Sequence, residues 1–265
     1  MSELPAPALP KSRRQALRSI VALMLREMST TYGASPGGYL WAILQPVGML
    51  LVLSFGFALM VRTPSLGSSF FYFYATGFLV YSFNRDIESK TTSALRYSRG
   101  LLSYPAVAWI DTVIARIFLS LLTFGVVFLI VMSGVIHLQN VNAILDFKPI
   151  ILSITLAVLL GLGVGMNNAV LTGMFPMWKN IWSIITRPML LASGVLYIYE
   201  DLPGVVQDIL WWNPLIHVTG LMRKGFFQTY DARFVSLTYC FFVGLLLVMT
   251  GIILMGKYYS EVLER

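Results

Sequence analysis

Charge-free stretches dominate the chain: residues 42–61, 63–84, 117–136, 149–178 and 234–256 hold no Asp, Glu, Lys or Arg and are rich in Leu, Ile, Val, Phe and Gly. A helix needs about 20 mostly apolar residues to cross the hydrocarbon core of a bilayer, so each stretch is long enough to span. Allowing for turns and flanking polar residues, the pattern predicts six membrane helices at about 40–61, 70–90, 106–136, 149–175, 180–199 and 234–256. The strongly apolar part of the second, 70–83, is short, so that helix is read as continuing past Arg85 into a water-facing end. The third is longer than the hydrocarbon core at roughly 1.5 Å per residue, which lets Asp111 and Arg116 sit at its polar end rather than at mid-depth.

Two segments break this pattern. In 11–31, Leu17, Ile20, Val21, Met24 and Met28 recur at helical spacing with Arg14 and Arg18 on another face. Arg26 and Glu27 exclude a span, and two readings are open: an amphipathic helix in the headgroup plane beside anionic lipid, or one packed on a soluble partner. The turn-rich 32–39 then redirects the chain into the membrane. In 200–233, Leu202, Val205, Val206, Ile209 and Leu210 follow helical spacing, Asp201 is placed to cap that helix, and Asn213-Pro214 interrupts it before 215–227 resumes. Two short re-entrant helices fit this region, and their break must face protein or a water-filled path, because lipid-exposed irregular backbone is not tolerated.

Composition agrees with the pattern. Of 265 residues, 57% are hydrophobic and 12% charged, against about 25% charged in soluble domains, and the mean hydropathy is +0.75. A soluble globule and a disordered chain are excluded. The expectation is an all-α polytopic membrane protein: a proline-rich cytoplasmic tail at 1–10 and a single permease domain at 11–265. Its basic segment lacks the short apolar core of a cleavable signal peptide, so the first span is expected to direct insertion.

The net charge of +7 concerns topology rather than nucleic acid. With both termini inside, Lys11, Arg13, Arg14, Arg18, Arg26, Arg85, Lys90, Arg96, Arg99, Lys179, Lys257 and Arg265 lie on the inner side. Only Arg62, Lys148, Arg223, Lys224 and Arg233 fall outside. The positive-inside rule then places both termini in the cytoplasm.

Enzymatic chemistry finds little support. There is no Gly-x-x-x-x-Gly-Lys-Ser/Thr phosphate loop. His137 and His217 lack ligand-spaced partners, and the lone Cys240 permits neither an internal disulfide nor a cysteine metal site. His217 beside the Pro214 break is read as a structural hydrogen-bonder. Asp86 and Glu88 form a close acidic pair, but residues two apart on a helix point different ways. Gly161 and Gly165 share a helix face and are read as a close-packing surface. The segment 96–105 combines basic, aromatic and apolar residues, as suits docking to a soluble partner; a solvated hairpin would not need Leu101, Leu102 and Tyr104.

Several motifs are spread along the chain: Arg26-Glu-Met-Ser-Thr-Thr-Tyr-Gly33, Gly38-Tyr-Leu-Trp41 with Gln45-Pro46, and Gly100-Leu-Leu-Ser-Tyr-Pro105 followed by Ile110-Asp-Thr-Val-Ile-Ala-Arg116. Further on come Ser193-Gly-Val195, Leu202-Pro203 and Asn213-Pro-Leu-Ile-His217 with Arg223 and Phe226-Phe227. Together they resemble the motifs of type-2 ATP-binding-cassette (ABC) exporter permeases, in particular the capsule polysaccharide exporters of Gram-negative bacteria, the second group resembling their external re-entrant region. Where these families carry an acidic residue three positions after the histidine, this chain has Gly220.

The resemblance implies a homodimer in the bacterial inner membrane, with two separate ATPase subunits that hold ATP and Mg²⁺. This chain then binds no cofactor of its own. The ATPases would contact Arg96, Tyr97, Arg99, Leu101, Leu102 and Tyr104 and the N-terminal helix, and a periplasmic adaptor and an outer-membrane export protein would complete the route. The implied substrate is a lipid-anchored capsular polysaccharide. An O-antigen, teichoic-acid or small-molecule exporter, or a membrane enzyme of glycan or lipid assembly, are the alternative readings.

Tyr and Trp rings stack on sugar faces and bond hydroxyls, so Tyr39, Trp41, Phe70, Tyr72, Tyr74, Tyr81, Tyr197, Tyr199, Trp211 and Trp212 are candidates to line a polymer path. An interfacial aromatic belt accounts for many of the chain's aromatics equally well. Arg116 and Arg187 are the candidate cations of the path. For Arg187, expected about 12 Å deeper than Lys179 at the helical rise, pairing with an anionic polymer and snorkelling to the interface are both open.

Overall fold

The computed structural model describes residues 13–32, 37–59, 63–102, 108–139 and 144–264. The expectations for the 1–10 tail, for residues 11–12, 60–61 and 106–107 at the ends of predicted helices, and for Tyr104 lie outside them. Among the described residues all regular structure is helical: α1 (Arg13–Tyr32), α2 (Leu40–Ala58), α3 (Phe70–Thr92), α4 (Ala94–Tyr97), α5 (Arg99–Leu102), α6 (Trp109–Leu138), α7 (Phe147–Met174), α8 (Trp178–Thr186), α9 (Met189–Ala192), α10 (Gly204–Leu210), α11 (Pro214–Phe226) and α12 (Leu237–Glu264), with a 3₁₀ turn at Tyr199–Asp201. Among them α2, α6, α7 and α12 are long and apolar enough to cross a membrane by length and composition. Helix α3 has the length, but its second half carries Arg85, Asp86, Glu88 and Lys90.

Helix α7 is the centre of the bundle, packed against α12, α3 and α11, while α3 also meets α6, α2 and α11. Glycine lets α7 take neighbours on two faces. A Cβ on Gly161 would lie 2.8 Å from the Asn84 carbonyl and one on Gly165 would lie 2.6 Å from Thr91 Cβ, both on α3. A Cβ on Gly163 would lie 2.7 Å from Leu247 on α12. Close approach of this kind substitutes for the hydrophobic drive that is missing between helices in lipid. Polar side chains then tie backbone to backbone: Asn84 donates to the Ala157 carbonyl (2.8 Å), Asn167 to that of Leu247 (2.7 Å) and Ser153 to that of Val218 (2.7 Å).

The expected fifth span at 180–199 is not one continuous helix. Helix α8 stops at Thr186, Pro188 precedes the single turn of α9, and 193–198 is irregular with Gly194 at φ 66°. Pro188 has no N–H and its ring crowds the preceding turn, which ends the helix. Asp201 also departs from expectation: it lies in the 3₁₀ turn, and Pro203 occupies the N-cap of α10 with no side-chain cap. Asn213 does cap α11, accepting from Leu215 N at 3.1 Å. Residues from Ile216 to Arg223 of α11 are buried, and the helix packs against α7 and α3.

Candidate functional site

Charge left inside this apolar fold gathers at two places, one at each end of α3. At the C-terminal end the helix period separates the acidic pair. Asp86 faces α6, accepting from Ser120 Oγ (2.7 Å) and pairing with Lys90 (2.8 Å). Buried Glu88 faces the other way, pairing with Arg85 and accepting from Trp182 Nε1 on α8 and from Asn168 Nδ2 on α7 at 3.3 Å. Asn168 in turn accepts from Trp178 Nε1 at 2.8 Å. One carboxylate therefore holds α3, α7 and α8 together.

Arg116 completes this inner hub. Buried on α6, it donates to the Lys90 carbonyl (2.7 Å) and to Ser93 Oγ (2.9 Å), where α3 passes into α4, and pairs with both carboxylate oxygens of Glu27 on α1 at 3.1 Å. Its guanidinium also lies over the Tyr97 ring at 4.8 Å. Arg is suited to this because its planar fork serves several acceptors at once. The short helices α4 and α5 thus form an elbow on the end of α3, with Arg96, Tyr97 and Arg99 exposed and Leu101 and Leu102 closing α5.

At the other end, Arg223 of α11 is 1% exposed and reaches across to the irregular segment. It donates to the carbonyls of Val195 (2.7 Å) and Tyr197 (2.5 Å) and lies over the Phe73 ring at 4.1 Å. Thr219 Oγ1 donates to the Ser193 carbonyl (2.7 Å) and Asn213 Nδ2 to that of Ala192 (2.9 Å). Helix α11 and its N-cap in this way serve four carbonyls within 192–197, where the irregular backbone lacks intrahelical partners. With Gly220 in the acidic position of the resembled pattern, backbone carbonyls serve Arg223 in place of a carboxylate. A Cβ on Gly220 would already lie 2.6 Å from Phe234.

His217 is structural, as expected: Nε2 meets the Trp211 carbonyl at 2.8 Å and Nδ1 accepts from Ser236 N at 3.3 Å. Trp211, Tyr239 and Phe234 surround its ring. At the surface end of α11, hydrogen bonds from Lys224 and Arg233, both 3.0 Å, hold the exposed Asp231 carboxyl below its usual range.

The candidate path residues scatter. Tyr72, Tyr74 and Tyr81 are buried because α3 is surrounded by neighbours, and Arg116 is buried on α6. Tyr197 donates to the Leu191 carbonyl (2.6 Å), Tyr199 to that of Gln207 (2.9 Å) and Trp211 to that of Phe234 (3.1 Å), so these three brace the chain between α9 and α12. Tyr39 bonds Thr123 (2.8 Å) at the start of α2, and half-buried Phe70 stacks on Tyr74. Trp41 and Trp212 are exposed, and Arg187 is exposed at the α8–α9 break rather than inside a helix. Sequence reading named Glu27 and Glu88 without assigning them this role, and missed Trp182. Their only signals were a glutamate at the edge of the apolar stripe of α1, three residues after Met24, and the Arg85–Glu88 spacing of three.

An all-helical bundle in which four helices are long and apolar enough to cross a membrane has the architecture of a polytopic membrane protein. The chain belongs to the ABC-2 type transporter family, whose family model matches residues 18–227. It is 31% identical over 238 residues to a polysialic acid transport protein of Escherichia coli, covering 89% of this chain and 92% of that one. It is 24% identical over 243 residues to a capsule polysaccharide export inner-membrane protein of Neisseria meningitidis serogroup B, covering 91% of each. A capsule polysaccharide export inner-membrane protein of Haemophilus influenzae is 24% identical over 249 residues, covering 93% of each.

Proposed function

We propose that this chain is the transmembrane subunit of an ATP-driven exporter that carries capsular polysaccharide across the bacterial inner membrane. The carrying observation is that its similarity to relatives named for polysialic acid transport and capsule polysaccharide export runs over about nine-tenths of both chains. As an ABC-2 permease it works with an ATPase on separate subunits, which hold ATP and Mg²⁺. Two copies of this chain, each contributing six membrane segments, form the pathway. Both termini face the cytoplasm, and a periplasmic adaptor and an outer-membrane protein continue the route.

The elbow α4–α5 is the coupling surface. Closure of the ATPases pushes on it, and because Arg116 joins the elbow to α1 and α6 while Glu88 joins α3 to α7 and α8, the push moves these helices together as a rigid body. The outer hairpin, clamped by Arg223, closes the far end. A strain lacking this chain should lose surface capsule and regain it on complementation. Retention of capsule in the deletion strain, or export of a small amphiphile instead, would refute the reading.

A further inference from the structure

On the inner side a cavity of about 360 Å³ opens between the elbow, α7 and the end of α12. Arg96, Arg99 and Lys179 line it with Thr92 and Thr172, and Val262 and Leu263 form an apolar wall. No acidic residue is among its described lining. We infer that this cavity is a binding site for an anionic phospholipid headgroup, its phosphate held by Arg96 and Lys179.

Three features favour lipid over an acidic segment of a partner protein. First, Lys179 lies on α8 beside Trp178 and Trp182, whose rings stack at 6.2 Å with both indole N–H groups turned inward to Asn168 and Glu88. Tryptophan concentrates at headgroup level. Second, the face of the same helix opposite Lys179 exposes Ile181, Ile184 and Ile185, as suits a helix lying against acyl chains. Third, the cavity has the size of a small-molecule site, about 300–1,000 Å³, and combines a polar end with an apolar wall. Basic pockets between membrane helices on the cytoplasmic side bind phosphate headgroups. The site rests on the orientation proposed above, and because it includes Arg96 and Arg99 it joins the elbow to the lipid. Bound lipid then holds the coupling surface against α7 and α8.

The test uses the full-length chain, purified from the membrane with its ATPase and placed in phosphatidylcholine nanodiscs with graded phosphatidylglycerol, with bound lipid counted by native mass spectrometry. Lys179→Gln and Arg96→Gln should each lower phosphatidylglycerol retention about fivefold, Lys179→Arg should preserve it, and Arg233→Gln on the opposite side should change nothing. Unaltered thermal unfolding shows that the variants are folded. Equal retention by wild type and Lys179→Gln would overturn the site. Loss of ATPase co-purification with lipid retention intact would make the cleft a protein-docking groove. Protection of Lys179 from amine acylation by inorganic phosphate as strong as by phosphatidylglycerol would make it a free-phosphate site. Reaction of a Lys179→Cys thiol with an impermeant reagent in intact cells would refute the orientation alone.

Discussion

The guanidinium of Arg116 on α6 pairs with the carboxylate of Glu27 on α1 at 3.1 Å while donating to the Lys90 carbonyl at the end of α3. A single side chain therefore ties the N-terminal helix to the helix that carries the coupling elbow.

Breaking a buried ion pair from one side leaves an uncompensated charge and costs about 3–5 kcal/mol. Arg116→Gln and Glu27→Gln should each abolish most export, with ATPase activity no longer responding to substrate. Glu27→Gln leaves Arg116 its bonds to the Lys90 carbonyl and Ser93 Oγ, which Arg116→Gln loses, so Glu27→Gln should be the milder in thermal unfolding. Normal substrate-stimulated hydrolysis in Arg116→Gln would show that the link does not transmit.

Glycine substitutions separate close packing from helix propensity. Gly125→Ala on α6, where an added Cβ meets nothing within 4 Å, should raise stability by roughly 0.5–1 kcal/mol. Gly165→Ala gains the same propensity but forces Cβ to 2.6 Å from Thr91, and overpacking costs about 1–3 kcal/mol. Detergent thermal unfolding should shift up for the first and down for the second.

Arg223→Lys keeps the charge and loses the fork that serves two carbonyls. Hydrogen bonds to charged groups contribute about 1.5–3 kcal/mol each, so the outer hairpin should open far more often. Cys240 reports this directly: it is the chain's only cysteine, it is buried, and its Sγ lies 3.7 Å from the Pro214 carbonyl. Maleimide labelling of Cys240 should be slow in the wild type and at least tenfold faster in Arg223→Lys. Unchanged labelling would mean that other contacts hold the hairpin.

Arg187 makes no hydrogen bond or ion pair among the described residues and lies exposed at the helix break. Arg187→Gln should reduce export about tenfold, equivalent to one lost interaction of ~1.4 kcal/mol, while dimer and ATPase still co-purify. Full export would leave Arg187 to an interfacial role.

What the sequence made legible followed from signals that are local. Apolar runs located α2, α6, α7 and α12, and Asn213-Pro214 located the break before α11. Gly161 and Gly165 marked a contact face, though not that Gly163 between them serves α12. What escaped depended on distant partners. Tyr72 and Tyr74 read as a sugar-stacking run because nothing local reveals that α3 is enclosed by α2, α6, α7 and α11. Arg116 read as a path cation because its acceptors, Glu27 and the Lys90 carbonyl, lie 89 and 26 positions away. The 180–199 segment reads as one span despite Pro188 because proline is tolerated within membrane helices, and the carbonyls freed beyond it are served by Arg223 and Thr219, residues 26–28 positions later.

The central claim is most directly tested by purifying the chain with its ATPase, reconstituting both in vesicles, and measuring hydrolysis and polymer uptake with the host's capsular glycan. The account predicts that the glycan stimulates hydrolysis and enters the lumen only with ATP, and that Arg116→Gln removes both effects. Hydrolysis indifferent to every glycan but stimulated by a small amphiphile would contradict it.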